Sequence, residues 1–329
     1  MRYIIMIELS HICKNYRVAK RSSGFKEAVK AVFSRQYTTV HALTDISFSI
    51  PDGEIVGYIG PNGAGKSTTI KIMSGVLTPD SGLCNINGYI PWKNRKEYTK
   101  KIGVVFGQRS QLWWDVPVID SFELLKEMYE IDAVVYHNSL DELVELLSLE
   151  DLLKTPTRVL SLGQRMKCEI AASLLHHPDI LFLDEPTIGL DTVSKLAIRQ
   201  FIKKINRERK TTVILTTHDM QDIEALAERI LLIGKGTLLF EGSLETMGSA
   251  VNHTKYINIK YDGNLLTIPE GATIKKSTAE QIIVKIDTTQ TAVPYILSAF
   301  SSQVEIKDIS ITSPSVEELV AMMYKDFAL

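Results

Sequence analysis

One glycine-rich segment of eight residues, 60–67, limits the possible folds of this chain more than any other. It fits the pattern GxxxxGK[ST], with Gly60, Gly65, Lys66 and Ser67 at the fixed positions. An apolar run at 55–59 precedes it, and apolar side chains at helical spacing follow it, so the order is strand, loop, helix. Glycines let backbone amides turn inward around phosphate oxygens. The segment predicts a phosphate-binding loop rather than an ordinary glycine-rich turn.

We call this segment the P-loop. Its residues are predicted to form most of a nucleotide site. Lys66 is expected to reach the β- and γ-phosphates, and Ser67 is expected to ligate Mg²⁺. The predicted nucleotide-binding residues are the whole loop and the residue after it: Gly60, Pro61, Asn62, Gly63, Ala64, Gly65, Lys66, Ser67 and Thr68.

A pair of carboxylates closes a second apolar run, at 180–183. Such runs, joined by helical patterns, indicate a mostly parallel sheet and an α/β fold. Since ligands bind at the carboxyl ends of the strands in these sheets, Asp184 is expected to hold Mg²⁺ and Glu185 to polarise the attacking water. An Asp-Glu pair after a strand is usually a solvated turn, but the P-loop upstream favours a site.

The motifs occur in an order that resembles one family. A signature-like segment at 160–164 (LSLGQ) lies before the Asp-Glu strand, EPT-x-GLD spans Glu185 to Asp191, and His218 follows another apolar run. This order resembles the ATPase subunit of an ATP-binding cassette (ABC) transporter over about residues 4–245. The resemblance implies an ABC-type P-loop NTPase fold with a helical signature subdomain, ATP and Mg²⁺ as cofactors, and ATP hydrolysis.

The resemblance also implies roles for single residues near the nucleotide. Tyr16 falls where an aromatic ring stacks on adenine, and His218 falls where a histidine contacts the γ-phosphate. Gln108 falls where a glutamine senses the γ-phosphate at the metal site and reports to the permease. The segment before Gln108 is one residue longer than usual, which leaves Gly107 as a competing alignment.

The signature is expected to face the nucleotide of a second subunit, through Ser161, Gly163 and Gln164, with Asp191 in a loop that crosses the dimer interface. Leu162 departs from the usual LSGGQ, in which this position is glycine. A left-handed backbone there would cost about 1 kcal/mol or more, so we expect altered packing in an active site.

Three parts of the chain are expected: an ABC ATPase domain at 1–247, a basic segment inserted into it at about 17–41, and a small α+β domain at 252–329. The inserted segment has six Lys or Arg against one Glu, and its spacing of Phe25, Val29, Val32 and Phe33 predicts an amphipathic helix. That helix would pack against its own domain. The alternative is that it lies against anionic lipid or a permease loop. Residues 248–250 are the predicted link to the last domain, which has a net charge of −2 and is expected to regulate or support a dimer, or only to pack.

The partners follow from the resemblance and from composition. An integral-membrane permease and a homodimer, or pairing with a homologous ATPase, are expected, at the cytoplasmic face of the membrane. A net charge of −2 argues against nucleic acid, three cysteines in no metal pattern argue for a reducing compartment, and no apolar run is long enough to span a bilayer. The alternatives are a soluble ABC ATPase acting on ribosomes or DNA, and a nucleotide-gated regulator with little turnover.

The segment Gln111–Asp115, together with LSLGQRMK, resembles a bacterial branch that works with export-type permeases of the ABC-2 class. It contains two adjacent tryptophans, Trp113 and Trp114, which cannot easily both point into one core from a loop. At least one is therefore expected to be exposed, as an anchor for the permease. The alternative is that both rings pack under the helical region that begins near Ser121.

Overall fold

The computed structural model describes residues 5–19, 37–107, 109–251, 253–263 and 267–326. The chain divides into two compact units, Met1–Glu241 and Gly242–Leu329. Among the described residues, no helix is both long enough and apolar enough to cross a membrane.

The first unit combines two sheets with helices. Its strands are β1 (Ile5–Ala19), β2 (Tyr37–Pro51), β3 (Ile55–Ile59), β4 (Ser81–Ile86), β5 (Ile102–Phe106), β6 (Ile180–Asp184), β7 (Thr212–Thr216), β8 (Arg229–Gly234) and β9 (Thr237–Gly242). Its helices are α1 (Lys66–Met73), α2 (Arg95–Thr99), α3 (Val118–Tyr129), α4 (Ala133–Leu147), α5 (Leu162–Leu174), α6 (Thr192–Arg209) and α7 (Met220–Leu226), and a 3₁₀ turn spans Thr157–Val159.

The central sheet has the strand order β5-β6-β7-β3-β8-β9, and the pairs from β5 to β8 are parallel. Every residue of β3 and β7 is buried, as expected of apolar strands covered on both faces. This is the α/β architecture that the sequence predicts. Because β3, β7 and β6 are parallel neighbours, their carboxyl ends open on one edge, where the P-loop, Asp184 and the residues after Thr216 lie.

A second, antiparallel sheet has the order β2-β1-β4 and joins the same hydrophobic core. Strand β1 ends at Ala19, and its partner β2 begins at Tyr37. Residues 17–19 and 37–41 are therefore strand rather than helix, and the inserted segment at about 17–41 stays a prediction. β-Branched and aromatic residues there, such as Val18, Tyr37 and Val40, favour extended backbone. The predicted helix, with Phe25, Val29, Val32 and Phe33, lies outside the described residues.

One helix of the first unit differs from its predicted bounds. The apolar spacing predicts a helix over 140–152, whereas α4 spans Ala133–Leu147. It begins earlier because the Asp132 carboxylate caps it, accepting hydrogen bonds from the amides of Val134 and Val135. It ends where Ser148 adopts a left-handed backbone, with φ at 52°.

The second unit is a four-stranded antiparallel sheet with helices. Its strands are β10 (Thr254–Asp262), β11 (Ala272–Ser277), β12 (Gln281–Asp287) and β13 (Glu305–Thr312), in the order β11-β12-β10-β13. Its helices are α8 (Leu244–Val251), α9 (Val293–Ser301) and α10 (Val316–Asp326). The predicted link at 248–250 is thus wrong, since these residues belong to α8. That helix buries Met247 completely and packs against α10, so burial overrides the linker-like composition.

Candidate nucleotide site

The P-loop connects β3 to α1 and packs closely on the neighbouring strands. Gly65 forms the N-cap of α1 with φ at 112°, a left-handed conformation that favours glycine. A Cβ atom there would lie 2.7 Å from the carbonyl oxygen of Ala42 in β2. Glycine is therefore required both by the backbone angle and by the close approach of β2, and the amino end of α1 stays free to face an anion.

Lys66, the first residue of α1, is 94% buried inside this loop. Its ammonium donates hydrogen bonds to the carbonyl oxygens of Gly60, at 2.7 Å, and Pro61, at 3.1 Å. Burial lowers the pKa of Lys66, and the nearby carboxylates of Glu185 and Asp184 oppose that shift. The lysine is thus held across the loop as a cation that lacks its usual hydration, which suits a phosphate ligand.

Ser67 and Asp184 meet beside the P-loop as the sequence predicts. The Ser67 hydroxyl lies 3.5 Å from Oδ1 of Asp184, and the same oxygen accepts a 2.5 Å hydrogen bond from the hydroxyl of Thr216. Hydroxyl and carboxylate oxygens are the ligands that Mg²⁺ prefers. Ser67 and Asp184 therefore fit a site that would hold Mg²⁺ when a nucleotide binds. Thr216 was not predicted, because its role depends on the pairing of β6 with β7, which places it opposite Asp184.

Glu185 and His218 form the second pair of the site. Oε1 of Glu185 lies 2.6 Å from Nε2 of His218, although 33 positions separate the two residues in the sequence. Glu185 has a left-handed backbone, with φ at 58°, and its amide donates a 2.9 Å hydrogen bond to the carbonyl oxygen of Thr216. The Glu185 carboxylate and the His218 imidazole thus lie together at the carboxyl ends of β6 and β7.

A cleft of about 410 Å³ lies at this edge of the sheet. Gly107 is fixed at its wall, since its amide donates a 2.8 Å hydrogen bond to the carbonyl oxygen of Asp184. Gln108 lies outside the described residues. The cleft is lined by Ser67, Lys71, Val76, Phe106, Gly107, Arg109, Asp184 and Glu185.

Tyr16 lies on β1, in the other sheet, and is 36% exposed. It pairs with Val40 of β2, two residues before Ala42, which contacts the P-loop at Gly65. The hairpin therefore places Tyr16 close in strand register to the residue that approaches the P-loop, and its contact with adenine stays a prediction.

The signature residues form a second cluster, at the amino ends of α5 and α6. Ser161 caps α5 in a reciprocal capping box with Gln164: its hydroxyl accepts from the Gln164 amide at 3.2 Å, and its own amide donates to the Gln164 side chain at 2.9 Å. Asp191 caps α6 by accepting from the amide of Ser194 at 3.0 Å. Hydrogen bonds from Ser194 lower the pKa of the Asp191 carboxyl.

Two close contacts join these helix ends. A Cβ atom at Gly163 would lie 2.5 Å from the hydroxyl oxygen of Ser194, so a larger residue here would force the Ser194 side chain to move. Leu162 is the first residue of α5 and lacks a positive φ, which means that the predicted cost of a left-handed backbone does not arise. Its side chain packs beside Gly189 instead. The altered signature therefore touches the loop that leads to Asp191.

A buried hydrogen-bond network, not predicted from the sequence, supports the loop after β6 and the loop after β7. Asp222 is fully buried and accepts hydrogen bonds from the hydroxyls of Thr187 and Thr217 and from Nε of Arg199, the last at 2.5 Å. Thr187 lies two residues after Glu185, and Thr217 directly precedes His218. The network holds the Glu185–His218 pair in place, since one carboxylate fixes both flanking loops.

Comparisons with known proteins agree with this geometry. The model of the ABC transporter family matches residues 43–188. The chain is 31% identical over 215 residues to the ABC transporter ATP-binding protein NatA of Bacillus subtilis, an alignment that covers 65% of this chain and 87% of NatA. The chain belongs to the ABC transporter ATP-binding proteins. The resemblance predicted from the motifs is therefore confirmed.

Two further relatives of this ABC protein extend the comparison. The linearmycin resistance ATP-binding protein LnrL of Bacillus subtilis is 30% identical over 277 residues, covering 83% of this chain and 88% of LnrL. The dimeric, post-hydrolysis structure of the ATP-binding cassette MJ0796 bound to ADP and Pi is 28% identical, with a TM-score of 0.60, and covers 73% of this chain and 99% of that one. The predicted fold, ATPase activity and cofactors, ATP and Mg²⁺, are confirmed.

Proposed function

We propose that this ABC protein works as an ATP-driven homodimer, or paired with a homologous ATPase, that powers a separate membrane permease from the cytoplasmic face of the cell membrane. Each composite site would take its P-loop from one subunit and its signature from the other. The supporting observation is that the signature is built as a surface of its own, at the capped amino ends of α5 and α6. A helix N-terminus favours a phosphate, and a second copy of the chain supplies one.

Within one subunit, the predicted catalytic and binding residues have separate proposed tasks. Lys66 would hold the β- and γ-phosphates, while Ser67 and Asp184 would hold Mg²⁺, which neutralises the phosphate charge when bound. Glu185 would polarise the attacking water, and His218, 2.6 Å away, would contact the γ-phosphate and fix the carboxylate. Gln108 would sense the γ-phosphate and complete the metal site. Tyr16 would stack on adenine.

The proposed permease contact is the exposed part of the segment after Gln108. Trp113 and Trp114 are 43% and 52% exposed, and Leu112 beside them is buried. The prediction that at least one tryptophan is exposed is confirmed, and packing of both rings under the region near Ser121 is excluded. Exposed aromatic pairs are typical anchors of interfaces, so a membrane partner is the proposed ligand of this surface. Export is the proposed direction, which the resistance named for LnrL supports.

Purification from native membranes tests the proposed partner. The tagged full-length chain is expected to co-purify with one polytopic membrane protein in mild detergent. The double variant W113A/W114A is expected to lose that protein while retaining its fold and its ATP affinity. Recovery of ribosomes or DNA in place of a membrane protein would overturn the proposal. Transport of a labelled substrate out of, or into, cells that carry both subunits then decides the direction.

A further inference from the structure

A buried carboxylate on α5 has no part in the site described above. Glu169 is only 4% exposed, although it lies in the middle of a helix whose neighbouring residues are apolar. Burial of a carboxyl group is costly unless several donors compensate for it. An apolar side chain of similar size would fill the same space without that cost. The carboxylate therefore indicates a requirement for specific hydrogen bonds.

Within the part of the chain that the structure describes, the hydrogen bonds of the Glu169 side chain come from one short segment, 110–112. Its carboxylate accepts from the hydroxyl of Ser110 and, at 3.1 Å, from the amide of Gln111. The side-chain amide of Gln111 donates in return to the main-chain carbonyl of Glu169, at 2.8 Å. Burial raises the pKa of Glu169, and hydrogen bonds from Ser110 and from the amides of Gln111 and Leu112 oppose that shift. The segment is thus bound to α5 by both main-chain and side-chain contacts.

The chain just before this segment is bound to the nucleotide site. Gly107 donates to the carbonyl oxygen of Asp184, and Arg109 donates to that of Phe106, at 2.9 Å. Gly107 thus contacts the end of β6, and residues 110–112 contact the middle of α5. One turn before Glu169, the guanidinium of Arg165 lies 5.7 Å from the centre of the Trp114 ring, which extends the contact to the exposed tryptophans.

Helix α5 connects Glu169 to the signature residues. Glu169 lies eight residues after Ser161, which is about 12 Å along a regular helix. A helix moves as a rigid body over this distance, so a displacement of segment 110–112 changes the position of Ser161 and Gly163.

We infer that Glu169 is a positioning residue that ties the segment after Gln108 to the signature helix, so that the state of the nucleotide in one subunit sets where its signature meets the other. This inference rests on the proposed two-subunit site. It assigns the alignment of the signature to one carboxylate and its partners Ser110 and Gln111.

Steady-state kinetics of the full-length chain test the inference. In E169A, kcat is expected to fall at least 10-fold, with the affinity for ATP unchanged within 2-fold and the cooperativity of hydrolysis with respect to ATP lost. E169Q keeps one acceptor oxygen but replaces the other with an amide donor, so its kcat is expected to lie between those of the wild type and E169A. Ser173→Ala is the matched control, because Ser173 is similarly buried on α5 and its hydroxyl donates to the carbonyl oxygen of Ile170 in the same helix. It is expected to leave kcat and cooperativity unchanged.

A second variant keeps the test decisive if E169A folds poorly. S110A removes the hydroxyl that donates to Glu169. Because both substitutions act on one contact, the loss of kcat in the S110A/E169Q double variant is expected to be less than the product of the losses in the two single variants. Equal losses of ATP affinity, thermal stability and kcat in all variants, or multiplicative effects, would overturn the inference and leave Glu169 a packing residue. If the wild type neither dimerises with ATP nor hydrolyses it cooperatively, the proposed two-subunit site fails, and the inference fails with it.

Discussion

The side chains of Glu185 and His218 meet with Oε1 and Nε2 2.6 Å apart, at the carboxyl ends of two neighbouring parallel strands. Neither residue is fully enclosed, since 21% of the Glu185 side chain and 42% of the His218 side chain are exposed. Both side chains are therefore accessible, and we propose that an ATP γ-phosphate and its attacking water lie beside them. The pair gives the glutamate a fixed orientation before nucleotide arrives.

Replacement of Glu185 by glutamine separates chemistry from binding. E185Q preserves the size of the side chain and its contact with His218 but removes the negative charge that polarises water. We expect hydrolysis to slow by at least about 100-fold, the lower range for loss of a general base, with ATP affinity retained. Single-turnover hydrolysis and equilibrium binding of a fluorescent ATP analogue measure the two effects. Wild-type turnover in this variant would remove Glu185 from the catalytic role.

Lys66 is expected to take up protons when ATP binds at alkaline pH. Burial lowers the pKa of the free lysine below its usual 10.5, whereas phosphate oxygens favour the ammonium form and raise its pKa in the complex. The affinity for ATP therefore falls as pH rises through the pKa of the free state. Calorimetry in two buffers of different ionisation enthalpy measures the uptake. K66R stays charged throughout, and an identical proton uptake by that variant would contradict the assignment to Lys66.

The close packing of Gly163 against Ser194 predicts an unusual response to alanine. A glycine-to-alanine change within a helix ordinarily stabilises it by up to about 1 kcal/mol. Here the new Cβ would lie 2.5 Å from the Ser194 hydroxyl, and overpacking costs about 1–3 kcal/mol, so G163A is expected to lower the free energy of unfolding. The same change in an S194A background is expected to be less destabilising. Chemical denaturation of the four proteins measures the difference, and equal effects in both backgrounds would disprove the contact.

Truncation tests the division of the chain. The predicted boundary near Gly248 falls inside α8, whereas the two units separate between Glu241 and Gly242. A chain ending at 241 is expected to bind ATP with wild-type affinity, because the P-loop and the Glu185–His218 pair lie in the first unit. A change in ATP-driven dimerisation of that shorter chain would assign a supporting role to the second unit. Loss of ATP binding would show that the boundary is misplaced.

Local sequence patterns predicted the parts of the site that each belong to a single motif. The strand at 55–59, the P-loop and the carboxylates after β6 were placed correctly because apolar runs and glycine spacing report local conformation directly. Thr216 and Asp222 were missed, since a threonine at a strand end and an aspartate in a short helix acquire roles only through non-local pairing. Glu169 was missed for the same reason. Its partners lie nearly sixty residues earlier in the chain.

The bounds that failed are those where composition and burial disagree. Gly248 and its small neighbours are typical of a linker, yet α8 forms because Met247 is buried in the second unit. The amphipathic spacing within the basic segment 17–41 predicted a helix, yet pairing with β2 keeps residues 17–19 extended. In both segments, tertiary contacts outweighed local preference.

Sedimentation of E185Q measures the central proposal, the two-subunit ATP site, most directly. With ATP and Mg²⁺ the variant is predicted to sediment as a dimer of twice the 36.9 kDa chain mass with two bound nucleotides, and as a monomer with ADP. Adding Ser161→Arg, which blocks the signature face, is predicted to leave each monomer able to bind ATP but unable to dimerise. A monomer at every ATP concentration, or a dimer that persists equally with ADP and with the Ser161 variant, would contradict the account.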